Sequence, residues 1–141
     1  MEVRSIMIWQ DMIAEQPLND QDILSGLVRS FNLARDEIMV RRNHDDFTNP
    51  DNAKLVCLAS PRNEGFRCVL SVYAYFDASS LDEISVVTKF ARTCKTDLLI
   101  SDDSIDPYTM ILVRPTGDLV NVNLDADLLD EKCEYHVSDQ L

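Results

Sequence analysis

The stretch YTMILVRPTGDLVNVNL, residues 108–124, decides the fold class. Tyr108 to Arg114 and Leu119 to Leu124 are β-compatible arms on either side of Pro115, Thr116, Gly117 and Asp118. Proline holds φ near about −65° and so suits the first central position of a type I turn. Gly117 supplies the positive φ that must follow. The two arms therefore form an antiparallel hairpin with a three-residue loop and a glycine bulge.

Working back from this hairpin, Leu98 to Ser101 reads as a short buried strand. A helix precedes it. Its start signal is Ser80-Leu-Asp-Glu83, the pattern of a capping box, in which Ser80 and Glu83 satisfy each other's backbone N–H groups. Ile84, Val87, Phe90, Ala91 and Cys94 form its apolar stripe, and Lys89, Arg92 and Lys95 complement the helix dipole toward its C-terminus. Phe66 to Phe76 is the longest strand. Cys68, Leu70, Val72, Ala74 and Phe76 make one uniformly apolar face. The opposite face, Arg67, Val69, Ser71, Tyr73 and Tyr75, is only half polar and suits partial cover or a contact surface. Lys54 to Ala59 is a further strand, joined to the last by a turn at 60–65.

Glu37 to Arg42 reads as a strand, followed by a polar loop over 43–52. Asn19 or Asp20 caps a helix running to about Phe31. Ile23, Leu24, Leu27, Val28 and Phe31 recur at helical spacing along it. Gly26 inside that helix costs about 1 kcal/mol relative to alanine, which points to a close packing contact. Val3 to Trp9 is a short strand, and Asp11 to Asn19 a connection containing Pro17. Beyond the hairpin, Leu128, Leu129, Tyr135 and Val137 anchor a short helical turn and an edge strand.

The order β-α-β-β-β-α-β-β-β implies an α+β two-layer sandwich. It has a mostly antiparallel sheet of about six to seven strands with two helices on one face. The first β-α-β unit adds a parallel pair. Residues 1–141 make one domain, long enough to bury roughly two-thirds of the surface of the unfolded chain. No apolar run reaches the roughly 20 residues of a membrane span, and the N-terminus is no signal peptide. The expectation is a soluble, cytoplasmic protein.

Charge is distributed unevenly. The net charge is −12, and residues 97–141 hold 11 acidic against 2 basic residues. Of the 25 acidic residues, 18 are Asp and 7 are Glu. Asp prefers turns and caps, so the charge belongs on loops at element ends. In a hairpin the chain reverses. Asp102, Asp103 and Asp106, which precede it, and Asp125, Asp127 and Asp130, which follow it, then share one end of the sheet, with Asp118 at the other. Such a rim repels phosphate backbones and attracts basic partners.

No catalytic set emerges. Asp102, Asp103 and Asp106 carry the carboxylates that Ca²⁺ or Mg²⁺ would use, but their spacing is not that of an EF-hand. Asp125-Ala-Asp127 opens like a calcium loop, yet Asp130 and His136 stand where glycine and glutamate are needed. Asp130-Glu-Lys132 is half of a nuclease motif in the most acidic part of the chain, without the basic groove a nuclease requires. His44, Asp45 and Asp46 make an exposed polar loop, and His136 has no evident partner. With glycines only at 26, 65 and 117 there is no phosphate loop. Cys57, Cys68, Cys94 and Cys133 show no zinc spacing; Cys57 and Cys68 are equidistant from the tip of a hairpin. Tyr73 and Tyr75 resemble a stacking platform for single strands, with Arg67, Arg41 and Arg42 near, but the overall charge opposes nucleic acid.

The reading is therefore a non-enzymatic protein-interaction module with no cofactor and no metal. Its most concrete form is an immunity or inhibitor protein that binds a basic partner, such as a toxin, through Asp102, Asp103, Asp106, Tyr108, Asp125, Asp127 and Asp130. An acidic secretion chaperone or adaptor, dimeric through the Val69, Tyr73 and Tyr75 face, is the alternative. An enzyme with an unrecognised site near His44 or the 101–108 loop is a third.

Overall fold

The computed structural model describes residues 7–42 and 52–140. Among the described residues eight strands form one sheet: β1 (Met7–Ala14), β2 (Ile38–Arg41), β3 (Leu55–Pro61), β4 (Cys68–Ala74), β5 (Leu98–Ser101), β6 (Thr109–Val113), β7 (Leu119–Leu124) and β8 (Val137–Gln140). Their spatial order is β2-β3-β4-β1-β5-β6-β7-β8, and every adjacent pair but β2–β3 is antiparallel. The described residues also form three α-helices: α1 (Asp20–Phe31), α2 (Glu83–Cys94) and α3 (Ala126–Lys132). The fold is α+β as expected; α3 and β8, which bring the strands to eight, lie where the sequence beyond the hairpin reads as a short helical turn and an edge strand.

The hairpin forms as read. Gly117 has φ of +95°. Its N–H donates to the Arg114 carbonyl at 2.8 Å, and the Arg114 N–H to the Asp118 carbonyl at 3.0 Å. Helix α1 also matches its signals. The Asn19 side chain accepts from the Asp22 N–H at 2.8 Å, and Asn32 closes the helix in the left-handed region at φ +55°. Ile23, Leu27 and Phe31 are buried beneath it, with Leu24 and Val28 half-buried at the edges.

Helix α2 starts later than its sequence signal. The capping box at Ser80 does not form. Residues 77–81 make a turn of their own, with the Asp77 carboxylate accepting from the Ser79 N–H and hydroxyl and the Leu81 N–H reaching the Ala78 carbonyl. This turn buries Ala78 and moves the N-cap to Asp82, whose side chain makes no cap bond. The buried stripe becomes Val86, Val87, Phe90 and Ala91, with Ile84 and Cys94 half-buried.

Strand β1 extends to Ala14, through residues that read as a connection. Met12, Ile13 and Ala14 are buried on alternating faces, because β1 lies mid-sheet between β4 and β5. A register shift between Ile8 and Gln10 breaks the alternation that would mark the strand in the sequence. The parallel pair is also displaced. After α1 the chain reaches the far edge of the sheet, so β2 pairs with β3 and not with β1.

Both sheet faces are covered. On one, α1 and α2 pack over Met12, Leu55, Leu70, Leu98, Ile100 and their neighbours. Cys68, Leu70, Val72 and Ala74 of β4 all turn to this face and are buried. The other face packs Ile13, Val69, Leu99, Met110 and Val122 beneath Leu129 of α3 and Tyr135. Segment 133–136 is tied to the β3–β4 turn: the Phe66 N–H donates to the Tyr135 carbonyl at 2.9 Å and Arg62 Nε to the Cys133 carbonyl at 2.9 Å. Val69 is therefore taken into the interior, which corrects the expectation of a continuous Val69–Tyr73–Tyr75 contact surface. Tyr73 and Tyr75 lie half-buried against a separate cluster of Ala53, Val56 and Leu58.

The strand directions place the loops. β5 ends, β6 begins, β7 ends and β8 begins at one end of the sheet, where the N-terminus of α3 also lies. The tip of the 114–118 turn is at the opposite end.

Candidate functional site

At the end of the sheet where β5 leaves and β7 returns, residues 102–108 and 125–130 meet. The contact between them is Tyr108, whose hydroxyl donates to Asp130 Oδ2 at 2.7 Å. Its backbone carbonyl accepts from the Leu124 N–H at 2.7 Å. The phenol is held above its ordinary pKa, first by that bond to Asp130, then by burial and the charges of Asp130, Asp106 and Asp127. The structure thus brings together the two acidic groups that the hairpin argument placed at one end.

The seven candidate residues divide by what their side chains already do. Asp125 is the N-cap of α3, its Oδ1 accepting from the Leu128 N–H at 3.0 Å. Asp102 holds the loop: Oδ1 accepts from the Ser104 N–H at 3.0 Å and Oδ2 from the Thr109 hydroxyl at 2.7 Å. These bonds favour its ionised form and keep its pKa below the usual carboxylate range, with Thr109 contributing most. Asp106 Oδ1 accepts from the Tyr108 N–H at 2.9 Å, and Asp130 is bonded to the Tyr108 hydroxyl. Asp103 and Asp127 are exposed, and among the described residues neither side chain makes a hydrogen bond or ion pair. Asp103 adopts φ of +61°, in the left-handed region. Its charge is felt at the start of α2, where burial and then Asp103 push the Glu83 carboxyl up.

One residue of this loop went unread in the sequence. Ile105 stands at full exposure, 104% of its reference area, with Asp102, Asp103 and Asp106 around it in the chain. Single apolar side chains are common on protein surfaces, so Ile105 draws its meaning from its place among carboxylates in a loop of fixed shape. Its only sequence signal was a lone isoleucine among turn formers. The rim therefore combines fixed negative charge with one apolar projection.

Other sequence candidates fall elsewhere. His44, Asp45 and Asp46 lie outside the described residues. His136 pairs its Nε2 with Glu134 Oε1 at 3.0 Å beside Gly65. Arg42 pairs with Asp20 at 2.8 Å and donates to the Leu18 carbonyl, on the helix side of the sheet and away from Tyr73. Cys57 and Cys68 are buried free thiols, but the register sets Cys57 opposite Val72 and Cys68 opposite Pro61, so they do not face each other. Burial pushes both thiols up, and Cys94 up to about 12, so their reactive thiolate forms are suppressed. Among the described residues no group of three or more His, Cys, Asp or Glu side chains is placed to hold a metal ion. Nor is any helix among the described residues long and apolar enough to cross a membrane. A cavity of about 850 Å³ opens on the outer side of the α1–α2 pair, away from the 101–108 loop.

Comparison with known proteins gives no match, whether to a family model, to a curated protein or to a solved structure.

Proposed function

We propose that the chain is a protein-interaction module that docks a basic protein on the rim formed by residues 102–108 and 125–130. An inhibitor of a basic toxin, in the manner of an immunity protein, is the concrete form of this reading. The observation that carries it is the exposed Ile105 in a loop whose shape is set by internal hydrogen bonds, flanked by unpaired Asp103, on a rim where Asp130 and Asp127 act on Tyr108.

The physical logic is that of many charged interfaces. Carboxylates at the rim speed encounter with a basic surface and reject acidic ones. They contribute little affinity by themselves, since exposed pairs are worth about 0–1 kcal/mol each. An apolar anchor entering a partner pocket supplies the short-range part. Because the loop is already ordered, docking need not order it again.

The test uses immobilised wild-type chain beside two variants, Asp103→Asn/Asp127→Asn and Ile105→Ala, as baits in native lysate. All three positions are exposed and leave the loop's own bonds in place. The wild type is expected to retain a basic protein that the double Asn variant retains less at low salt and the Ile105 variant releases faster. Identical retention by all three baits would sink the reading.

A further inference from the structure

The helix layer carries the opposite charge. The cavity between α1 and α2 is lined by Arg29, Lys89, Arg92 and Arg35, with the hydroxyl groups of Ser25 and Thr93, and among the described residues by no carboxylate. This happens in a chain where acidic residues outnumber basic ones 25 to 13. Elsewhere cations find partners: Arg42 bonds Asp20 at 2.8 Å, and Lys54 bonds Glu37 at 2.7 Å. Among the described residues none of the four groove cations is ion-paired. Arg35 reaches only neutral oxygens, Gln21 Oε1 and Ser25 Oγ, each at 3.4 Å. Arg92 Nε donates to the Pro115 carbonyl at 3.0 Å, which leaves its terminal nitrogens for a ligand.

The fold brings these charges together. Gly26 lets α1 approach the Phe90 ring and Cys94, so Arg29, one turn beyond Gly26, and Lys89, next to Phe90, line one groove. Lys89 and Arg92 are also neighbours at i, i+3 on α2, an arrangement of like charges that weakens a helix. The four exposed cations, with no carboxylate among the described residues lining the groove, sum to a local positive field that favours a multivalent anion.

We propose that this groove binds a compact polyanion, a small molecule bearing two or more phosphate groups. Its volume falls within the roughly 300–1,000 Å³ of small-molecule sites. Among the described residues Val28 is the sole apolar one lining it and no aromatic ring does, so recognition works through charge and hydrogen bonds, not stacking. Guanidinium groups match phosphate oxygens in bidentate geometry. The Ser25 hydroxyl accepts from Arg35 and keeps its proton to donate, whereas the Thr93 proton is spent on the Lys89 carbonyl at 2.8 Å. A long phosphate chain would run out of the groove into the field of the −12 protein. A compact anion stays within about 10 Å of the groove cations, inside the screening length. The site is on the helix layer and does not rest on the acidic rim.

Isothermal titration calorimetry of the full chain with inorganic tripolyphosphate, at low and then rising NaCl, tests this. Saturable one-to-one binding is expected, weakening with salt. Arg29→Gln/Lys89→Gln should bind about tenfold more weakly, since the two exposed charges lost together are worth about that factor. Arg35→Gln, an independent variant at another exposed site, should also weaken it, and Asp103→Asn/Asp127→Asn should not. Thermal melts check that each variant is folded. No saturable heat at low salt, or equal affinity in the Arg29/Lys89 variant, overturns the proposal. So does a single-stranded oligonucleotide that binds through Arg29 and Lys89 more tightly than tripolyphosphate.

Discussion

Replacing Gly26 by alanine sets two effects of opposite sign against each other. Helix propensity alone favours alanine by about 1 kcal/mol in a helix interior. Packing opposes it. A Cβ at position 26 would stand 2.6 Å from Phe90 Cε2, 2.8 Å from Phe90 Cδ2 and 2.7 Å from Cys94 Sγ. Carbon pairs rest at about 3.5–4.0 Å, so the ring contact is about 1 Å too short. The Cys94 sulfur, half-buried and donating to the Asp22 carbonyl at 3.3 Å, yields at the cost of that weak bond. Phe90 does not: its ring is rigid and its exposure is 0%. The helices must part or the ring must leave its rotamer, and overpacking of this kind costs about 1–3 kcal/mol.

The net expectation is a loss of about 1–2 kcal/mol once the propensity gain of about 1 kcal/mol is subtracted from a cost near the upper end of that range. Urea unfolding followed by tryptophan fluorescence measures it, since Trp9 packs edge-on against Phe31 at 4.9 Å in the same layer. A double-mutant cycle with Phe90→Leu identifies the cause. In that background the ring is gone, and Gly26→Ala should become neutral or stabilising. If Gly26→Ala instead stabilises the parent chain by the full propensity value, the close helix crossing is wrong, and the groove geometry that depends on it fails too.

Two further outcomes follow from local geometry. Lys95 ends α2 at φ +54°, where a side chain is strained by about 1–2 kcal/mol; Lys95→Gly should raise the urea midpoint despite losing about 0.3–1 kcal/mol of dipole complement, and an unchanged or lower midpoint would contradict it. The Asp102 carboxyl should titrate below its ordinary value of about 3.9 when followed by NMR at the Ser104 amide, and Thr109→Val should raise that midpoint. Because the folded pKa is depressed, this group's stabilisation is present above the ordinary value and lost as pH falls through the folded one. The loop should therefore loosen in acid, and an identical midpoint in the two chains would show that the Thr109 bond does not hold it.

Local signals carried over into the structure where local physics decides. The turn at 114–118 needs Gly117 and has it at positive φ. Asn19 caps α1, and the alternation of 68–74 sends the smooth apolar face to the core. Signals failed where partners distant in the chain decide. β1 is the central strand because β4 and β5 close on it, and nothing in residues 10–14 announces that. β2 pairs parallel with β3 because α1 carries the chain to the sheet edge. Val69 is buried by Tyr135, which lies far along the chain. The acidic rim was legible because a hairpin fixes which loops share an end, but the strand argument was silent on side-chain duties. Only the structure separates Asp125 and Asp102, which hold their own backbone, from Asp103 and Asp127, which face water. The basic groove was hidden for the same reason: Lys89 and Arg92 read as dipole complement until α1 brings Arg29 against them.

The most direct test of the rim is the rate at which a basic protein retained by the wild-type chain associates with it, measured by stopped flow across ionic strength. The wild type is compared with the chain in which Asp102, Asp103, Asp106, Asp127 and Asp130 are all changed to Asn. Electrostatic steering is worth about 10-fold or more at low salt. The account predicts that the wild-type rate falls steeply as salt rises and meets the slower, nearly salt-independent rate of the variant. Equal rates with equal salt slopes in both chains would contradict it.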